Sequence, residues 1–289
     1  MDTPLQANRW ILYFRLMRLD KPVGIYLLLW PTLWAVWIAA GGNPSLWLVL
    51  VFVAGVVLMR SAGCVINDYA DRHIDSKVER TRERPLTSGQ VTEGEALVLF
   101  TLLALCAFAL VLTLNRLTIL LSLGGAFLAA SYPFMKRYTN LPQAYLGAAF
   151  GWAVPMAFAA QTGELDSRLW WLFLATLVWA LIYDTMYAMV DREDDLKIGV
   201  KSTAILFGQY DRLVIGLLQL GMLAVLLVAG QSFELGWAYH ASLCVAAALM
   251  LYHQWLIAGR DRASCFKAFL HNHWIGLVIF SGIVLDYQL

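Results

Sequence analysis

The chain of 289 residues is 60% hydrophobic and only 14% charged, and its formal net charge is +1. A water-soluble domain of this length needs far less apolar sequence, so the composition excludes an ordinary soluble globule. The balanced charge provides no basic excess for a nucleic acid, and neither a nucleic-acid nor a protein partner is expected.

The segment ahead of the first long apolar run reads RWILYFRLMRLDKP. Trp10, Phe14 and Met17 recur in it at helical spacing, with arginines dispersed among them. This pattern predicts a short interfacial helix that leads into the first membrane span.

The rest of the chain consists of apolar runs of about twenty residues separated by short polar breaks, which is typical of a polytopic membrane protein. We therefore predict an all-α fold with nine transmembrane helices, and the lipid bilayer as its surroundings. The predicted spans are 23–40, 46–66, 96–114, 117–133, 142–160, 169–190, 213–230, 236–257 and 269–285.

The basic residues are distributed unevenly between the two sides of the membrane that these spans define. Of the 21 lysines and arginines, all but Arg116 and Arg168 fall on the same side. By the positive-inside rule that side is cytoplasmic, which places the N-terminus in the cytoplasm and the C-terminus in the periplasm. No transit-peptide composition precedes the first span, which favours a bacterial inner membrane.

Two charged connections on the cytoplasmic side resemble each other. The first begins NDYADRHIDSKV at residue 67, and the second contains DREDDLKI from residue 191. At an offset of 120 residues Asp71 aligns with Asp191 and Asp75 with Asp195, without a gap. We interpret the windows 67–78 and 187–198 as a pseudo-repeat within one domain that covers residues 1–289.

The spacing of the acidic residues predicts a cation site between the two connections. Asn67, Asp71 and Asp75 recur every four residues, as do Asp191 and Asp195, so each set follows one face of a helix. Oxygen ligands without histidine or cysteine favour Mg²⁺, which leaves coordination positions for a substrate phosphate. A group of nearby basic residues is suited to neutralising the other oxygens of a diphosphate: Lys77, Arg80, Arg82, Arg84, Lys197 and Lys201.

Two further ionisable residues lie inside predicted spans. Arg60 precedes Asn67 by seven residues and Asp184 precedes Asp191 by seven, so each extends the face of its acidic set towards the membrane interior. A charge inside a span is costly without a partner or water, and such residues are functional candidates by default.

At this point the motifs resemble those of the UbiA-type membrane prenyltransferases. The resemblance rests on N-x-x-x-D-x-x-x-D at 67–75, D-x-x-x-D at 191–195 and Y-x-x-x-K at 132–136. The longer strings LDKPVG, SYPFMKRYTNLPQAYLGAAFGW, YDTMYAMVDREDD and KSTAILFGQYDR extend it over almost the whole chain.

The resemblance implies a nine-helix bundle around a central cavity that opens to the cytoplasmic side. It further implies Mg²⁺-dependent transfer of a polyprenyl group, expected to be octaprenyl, from polyprenyl diphosphate to the 3-position of 4-hydroxybenzoate in ubiquinone biosynthesis. The residues that it assigns to Mg²⁺ and diphosphate are Asn67, Asp71, Asp75, Asp191 and Asp195, with Asp68 as a further candidate.

The family pattern also implies roles for the residues around this site. Lys136 would contact the diphosphate together with Arg80 and Arg84, and Tyr132 would shape or polarise the cavity. Either Arg60 or Arg137 would pair with the carboxylate of the aromatic acceptor. Asp184 would orient one of these groups or take part in removing the ring proton.

Other functions remain open at this stage. Intramembrane acids also occur in transporters, but here they lie at the cytoplasmic ends of spans and lead into basic loops. A phosphatidyl-alcohol transferase would carry D-G-x-x-A-R, which the sequence lacks. Relatives in the prenyltransferase superfamily use other acceptors, such as dihydroxynaphthoate or homogentisate, and a purely structural membrane subunit would leave the acidic repeat unexplained. The sequence does not decide the tail length, the oligomeric state, the order of substrate binding or the base that removes the ring proton.

Overall fold

The computed structural model describes residues 8–75 and 81–289, leaving aside the side chains of 74 and 75. Every regular element in this part of the chain is helical, which confirms the all-α prediction. Three short 3₁₀ turns, Tyr132–Phe134, Gly208–Tyr210 and Ile257–Gly259, link some of the helices. The α-helices are α1 (Arg9–Leu16), α2 (Val23–Ala39), α3 (Leu46–Asp75), α4 (Glu93–Val111), α5 (Arg116–Ser131), α6 (Met135–Tyr138), α7 (Pro142–Gly151), α8 (Ala153–Thr162), α9 (Leu169–Ile198), α10 (Thr203–Phe207), α11 (Asp211–Ser232), α12 (Trp237–Leu256), α13 (Arg262–His271) and α14 (His273–Asp286).

Seven helical segments among the described residues are long and apolar enough to cross a membrane. They correspond to seven of the nine predicted spans. The first predicted span is represented by α2, which is shorter at 17 residues. The segments are Leu46–His73, Glu93–Val111, Arg116–Tyr138, Leu169–Ile198, Thr203–Ser232, Trp237–Gly259 and Arg262–Asp286.

The predicted span 142–160 is divided into α7 and α8, of ten residues each. Pro155 explains the division, because it has no N–H to donate to the carbonyl four residues earlier, at Gly151. Gly147 lies against α9 so closely that a Cβ there would come within 2.6 Å of the Leu177 carbonyl oxygen. The Gly147-x-x-x-Gly151 pair thus serves close packing between helices, as small residues at this spacing do in membrane proteins.

Both acidic connections begin on a helix that continues from the membrane. Helices α3 and α9 have 30 residues each, which gives each a length of roughly 45 Å at 1.5 Å per residue. A hydrocarbon core is about 30 Å thick, so the last turns of both helices extend past it. The acidic residues therefore lie on helical turns beyond the length that a membrane span requires.

Helix α9 is held in the core by a pair of tryptophans. Trp34 of α2 and Trp179 of α9 are fully buried, and their rings stack with centroids 5.4 Å apart. Each indole N–H donates a hydrogen bond to the last part of the chain, Trp34 to the Gly276 carbonyl and Trp179 to Oδ1 of Asn272. These contacts fix the orientation of α9 and therefore of the acidic residues at its end.

Candidate functional site

The ends of α3 and α9 meet at a small polar cavity of about 170 Å³. Asn67 and Asp71 line it from α3, and Asp191 and Asp195 line it from α9. The structure thus brings together residues that are more than a hundred positions apart in sequence, as the pseudo-repeat predicts. Asp75 and Arg80, which are also predicted for this site, lie outside the described side chains.

The rim of the small cavity is cationic. Lys136 forms an ion pair with Asp71, whose side chain is almost fully buried. Lys201 also lines the cavity, and its backbone N–H donates to the carbonyl of Lys136. Opposite charges therefore alternate around one space, as expected for a site that binds a cation and an anion together.

The donor set of the small cavity fits Mg²⁺. Within the described residues, no three acidic, histidine or cysteine side chains form a group that could hold a metal ion by themselves. Mg²⁺ does not require such a group, because it commonly takes one or two carboxylates and fills its octahedron with water and substrate phosphate. Carboxylates on two facing helix ends match that requirement.

Asp68 belongs to a different environment from Asp71. Its carboxylate is buried and accepts hydrogen bonds from Arg18 at 2.8 and 3.0 Å and from Arg84 at 2.9 Å. Two arginines therefore already neutralise this carboxylate. We interpret Asp68 as the residue that positions Arg84, which lines the small cavity.

A second and much larger cavity of about 1590 Å³ adjoins the first. Most of its wall is apolar, and it includes Phe150 and Trp152 at the junction of α7 and α8. The charged site and the apolar interior are therefore neighbours that share part of their walls. The residues that line both cavities are Asn67, Arg84, Tyr132, Asp184 and Tyr187.

Arg60 lies in the wall of the large cavity and Arg137 does not. Arg60 is half-buried on α3, and its guanidinium lies against Gly24 of α2, where a Cβ would come within 2.5 Å of Nε. Arg137 is exposed and donates to the carbonyl of Ala70 at 2.9 Å. Because successive residues on a helix point about 100° apart, Arg137 turns away from the side that Lys136 faces. Of the two arginines predicted for the acceptor, Arg60 lines a cavity and Arg137 lines neither of the two.

Lys197 is another predicted site residue that the structure places elsewhere. Its side chain is 74% exposed and pairs with Asp194 at 3.6 Å, and it lines neither cavity. Two residues beyond Asp195, it points to nearly the opposite side of α9. The prediction that Lys197 contacts phosphate is therefore not supported, whereas Lys201 lies beyond the end of α9 and reaches the cavity.

Several polar residues of the site are not singled out by charge or spacing in the sequence. Thr81, Gln143 and Ser202 line the small cavity. Gln143 accepts a hydrogen bond from the backbone N–H of Thr203 at 3.1 Å, and Ser202 caps α10. Neither residue belongs to a repeated or charged pattern, so only the packing of α7 against α10 shows them beside the acidic residues.

The fold and the site together define a class: a helical membrane protein that brings two acidic helix ends to a polar cavity joined to a large apolar one. A family model described as the UbiA prenyltransferase family matches residues 28–276. The chain belongs to this family and is a prenyltransferase.

Two relatives and two solved structures show how close the similarity is. Proteins named 4-hydroxybenzoate octaprenyltransferase are 64% identical in Methylococcus capsulatus, over 95% of this chain and 94% of the relative, and 58% identical in Salmonella newport, over 99% of both. The structure of a UbiA homolog from Aeropyrum pernix has a TM-score of 0.80 at 27% identity, covering 90% of this chain and 97% of that one. A UbiA homolog from Archaeoglobus fulgidus bound to GPP and Mg²⁺ has a TM-score of 0.70 at 17% identity, covering 94% and 99%, and at that identity it supports the fold alone.

Proposed function

We propose that the protein transfers a polyprenyl group, octaprenyl by the names of its relatives, from polyprenyl diphosphate to the 3-position of 4-hydroxybenzoate, as a membrane step of ubiquinone biosynthesis. The observation that carries this proposal is the meeting of the two acidic helix ends at a small cavity that shares part of its wall with a large apolar one. A diphosphate and its metal match the first cavity, and an apolar tail and an aromatic ring match the second.

The acidic residues would hold Mg²⁺, with Asn67 and Asp71 on one side, Asp191 and Asp195 on the other, and Asp75 next along α3. Bound there, the ion would neutralise charge that grows on the diphosphate oxygens as the allylic C–O bond breaks. Lys136 balances Asp71 in the structure. When a cation takes over Asp71, the Lys136 ammonium group becomes available to the diphosphate, with Arg84, Arg80 and Lys201 covering its other oxygens.

The transfer itself needs an electron-rich ring beside the breaking bond. The electron pair of the C–O bond leaves with the diphosphate, and the ring carbon ortho to the phenol hydroxyl forms the new C–C bond and then loses its proton. In our proposal Arg60 binds the acceptor carboxylate, Tyr132 shapes the junction of the cavities, and Asp184 orients the acceptor or receives the ring proton. Asp184 lines both cavities, which supports this role.

We further propose that α2 and the α7–α8 pair cross the membrane in addition to the seven longer segments, which gives nine spans. The N-terminus would then be cytoplasmic, the C-terminus periplasmic, and the small cavity would open to the cytoplasm of a bacterial cell. The distribution of basic residues supports this orientation.

The experiment that tests the function uses membranes that contain the full chain, with a polyprenyl diphosphate, 4-hydroxybenzoate, and Mg²⁺ present or chelated. We expect prenylated 4-hydroxybenzoate only when all three are present. Product with a different aromatic acceptor and none with 4-hydroxybenzoate would overturn the acceptor. Solute uptake without a covalent product would overturn the reaction class.

A further inference from the structure

Two buried hydrogen-bond donors in the large cavity have no partner among the described residues. They are the Tyr183 hydroxyl and Nε of Arg60. Buried polar groups are nearly always satisfied in native proteins, and leaving one unpaired costs free energy. Since both residues line the same cavity, these two donors point to a ligand that accepts hydrogen bonds.

The Tyr183 hydroxyl has little freedom to find another partner. Its residue is only 2% exposed, and the ring packs edge-on against Trp179 with centroids 5.6 Å apart. The ring of Phe269 lies beside it, with the two ring centroids 6.2 Å apart. Because Trp179 is itself stacked on Trp34, the direction of the hydroxyl is set by the core of the protein.

The Arg60 guanidinium is held with similar firmness. Its Nη1 donates to the sulfur of Cys64 at 2.8 Å, and sulfur is a weak acceptor. The absent Cβ of Gly24 provides the space in which Nε and Nη2 lie. The groups near enough to act on its charge include Cys64 and the tyrosines Tyr132, Tyr183 and Tyr187.

We propose that the Tyr183 hydroxyl is a second hydrogen-bond donor to the carboxylate of the aromatic acceptor, beside Arg60. This inference rests on the proposed function. A carboxylate has two oxygens, so one can accept from the guanidinium and the other from the phenol. Tyr183 would therefore be a specificity-determining residue that distinguishes acidic acceptors from neutral ones.

The arrangement also fixes the reacting end of the acceptor. In 4-hydroxybenzoate the carboxylate and the hydroxyl lie at opposite ends of the ring, so holding the first determines the position of the second. Asn67 follows Arg60 by seven residues on α3, roughly 10 Å further along the helix. The phenol end then points to the residues shared by the two cavities, where the diphosphate is proposed to bind.

The test is Tyr183→Phe, which removes the hydroxyl and keeps the ring. We expect the KM for 4-hydroxybenzoate to rise about ten- to hundred-fold, as for the loss of a hydrogen bond to a charged group. The inhibition constant of benzoate, which carries the carboxylate alone, should rise by the same factor, whereas that of phenol and the KM for the polyprenyl diphosphate should not change. Tyr252→Phe is the matched control, because that tyrosine stacks on Trp255 outside both cavities.

Three results would overturn the inference. Unchanged constants for 4-hydroxybenzoate and benzoate in Tyr183→Phe, with normal product formation, would reject the role of Tyr183 and leave the proposed function intact. Equal losses for benzoate, phenol and the diphosphate would assign Tyr183 a structural role. If the unaltered chain prenylates a neutral acceptor and not 4-hydroxybenzoate, both the function and the inference fail.

Discussion

The ends of α3 and α9 carry the same acidic spacing but are held in place by different means. At the end of α3, Asp71 is nearly buried and pairs with Lys136. At the end of α9, Asp191 is only half-buried, and the contacts that anchor this end are made by the next residue, Arg192. The two ends therefore share the groups that face the cavity and not the groups that support them.

The two arginines that follow the aligned aspartates show this difference most clearly. Arg72 pairs at 3.0 Å with Glu93, whose side chain is 54% exposed. Arg192 pairs with Asp211, which is fully buried and also accepts a hydrogen bond from Nε of Arg260 at 2.9 Å. The acid of the pair at the end of α3 is exposed to solvent, whereas the acid of the cluster at the end of α9 is fully buried.

Each end nevertheless contains one buried aspartate between two arginines. Asp68 lies between Arg18 and Arg84, and Asp211 lies between Arg192 and Arg260. In each group one arginine adopts a left-handed backbone, Arg18 with a φ of 57° and Arg260 with a φ of 55°. A non-glycine residue reaches this region at a cost, so the ion pairs have to hold it there.

The hydrogen bond to Asp211 also raises the pKa of Arg260, which lies in the turn between α12 and α13. Arginine is a cation throughout the physiological range in any case, and the contact with Asp211 favours the charged form further. The end of α9 is tied in this way both to the start of α11 and to the turn before α13.

The largest expected effect comes from the aspartates that the two ends share. Asp71→Ala and Asp191→Ala should each reduce turnover by about a thousand-fold or more, because each removes a carboxylate from the proposed Mg²⁺-diphosphate site. The measurement is product formation in membranes with matched amounts of inserted protein.

Asp166→Asn is a suitable control, since Asp166 pairs with Arg168 in a loop outside both cavities. Near-normal activity of either alanine variant at limiting Mg²⁺ would show that the two ends do not form one metal site. If only one of the two variants loses turnover, the ends of α3 and α9 do not contribute equally to the proposed site.

A large effect of another kind is expected from Asp211→Asn. It leaves Arg192 and Arg260 without their shared buried carboxylate, and breaking a buried ion pair costs about 3–5 kcal/mol. The midpoint of thermal unfolding in detergent micelles should fall clearly. A stability equal to that of the unaltered protein would mean that the cluster does not hold the end of α9.

The sequence predicts the helical fold and the carboxylates of the site because both depend on periodicity. Apolar runs of membrane length and acids at four-residue spacing are visible without any partner, and the structure contains both. The residues that hold the end of α9 in place are not predictable in this way. Asp211 lies in the string KSTAILFGQYDR with no repeated spacing, and it becomes buried only when α9 and α11 pack together.

Arg137 and Lys197 show a second limit of the sequence. Arg137 is adjacent to Lys136, and Lys197 lies four residues before Lys201, so residue type alone does not separate them from the two lysines that line the small cavity. The direction in which a side chain points depends on whether its residue belongs to a helix and on its position around that helix. The structure decides it, since α6 has four residues and α9 ends at Ile198.

A moderate effect is expected deeper in the cavity, where the faces of the two ends continue as Arg60 and Asp184. Gly24→Ala would place a Cβ 2.5 Å from the Arg60 guanidinium and force it to move. We expect the KM for 4-hydroxybenzoate to rise about ten-fold, with a smaller change in the KM for the diphosphate.

The control for this substitution is Gly221→Ala in α11, where an added Cβ meets nothing within 4 Å. It tests the general effect of replacing a helical glycine by alanine. If Gly24→Ala raises the KM values for 4-hydroxybenzoate and for the diphosphate equally, Arg60 affects both substrates. A specific role of Arg60 in binding the acceptor would then be wrong.

The smallest effect is expected from Glu93→Gln, which removes the partner of Arg72. Because this pair is exposed to solvent and Arg72 also lies 4.3 Å from the ring centre of Tyr69, the loss should be within about 1 kcal/mol. Thermal unfolding of Glu93→Gln and Asp211→Asn under the same conditions compares the two aligned arginines directly. A small shift for the first variant beside a large one for the second would show that equivalent positions of the repeat have different structural roles, whereas equal shifts would mean that both helix ends depend on their arginines to the same degree.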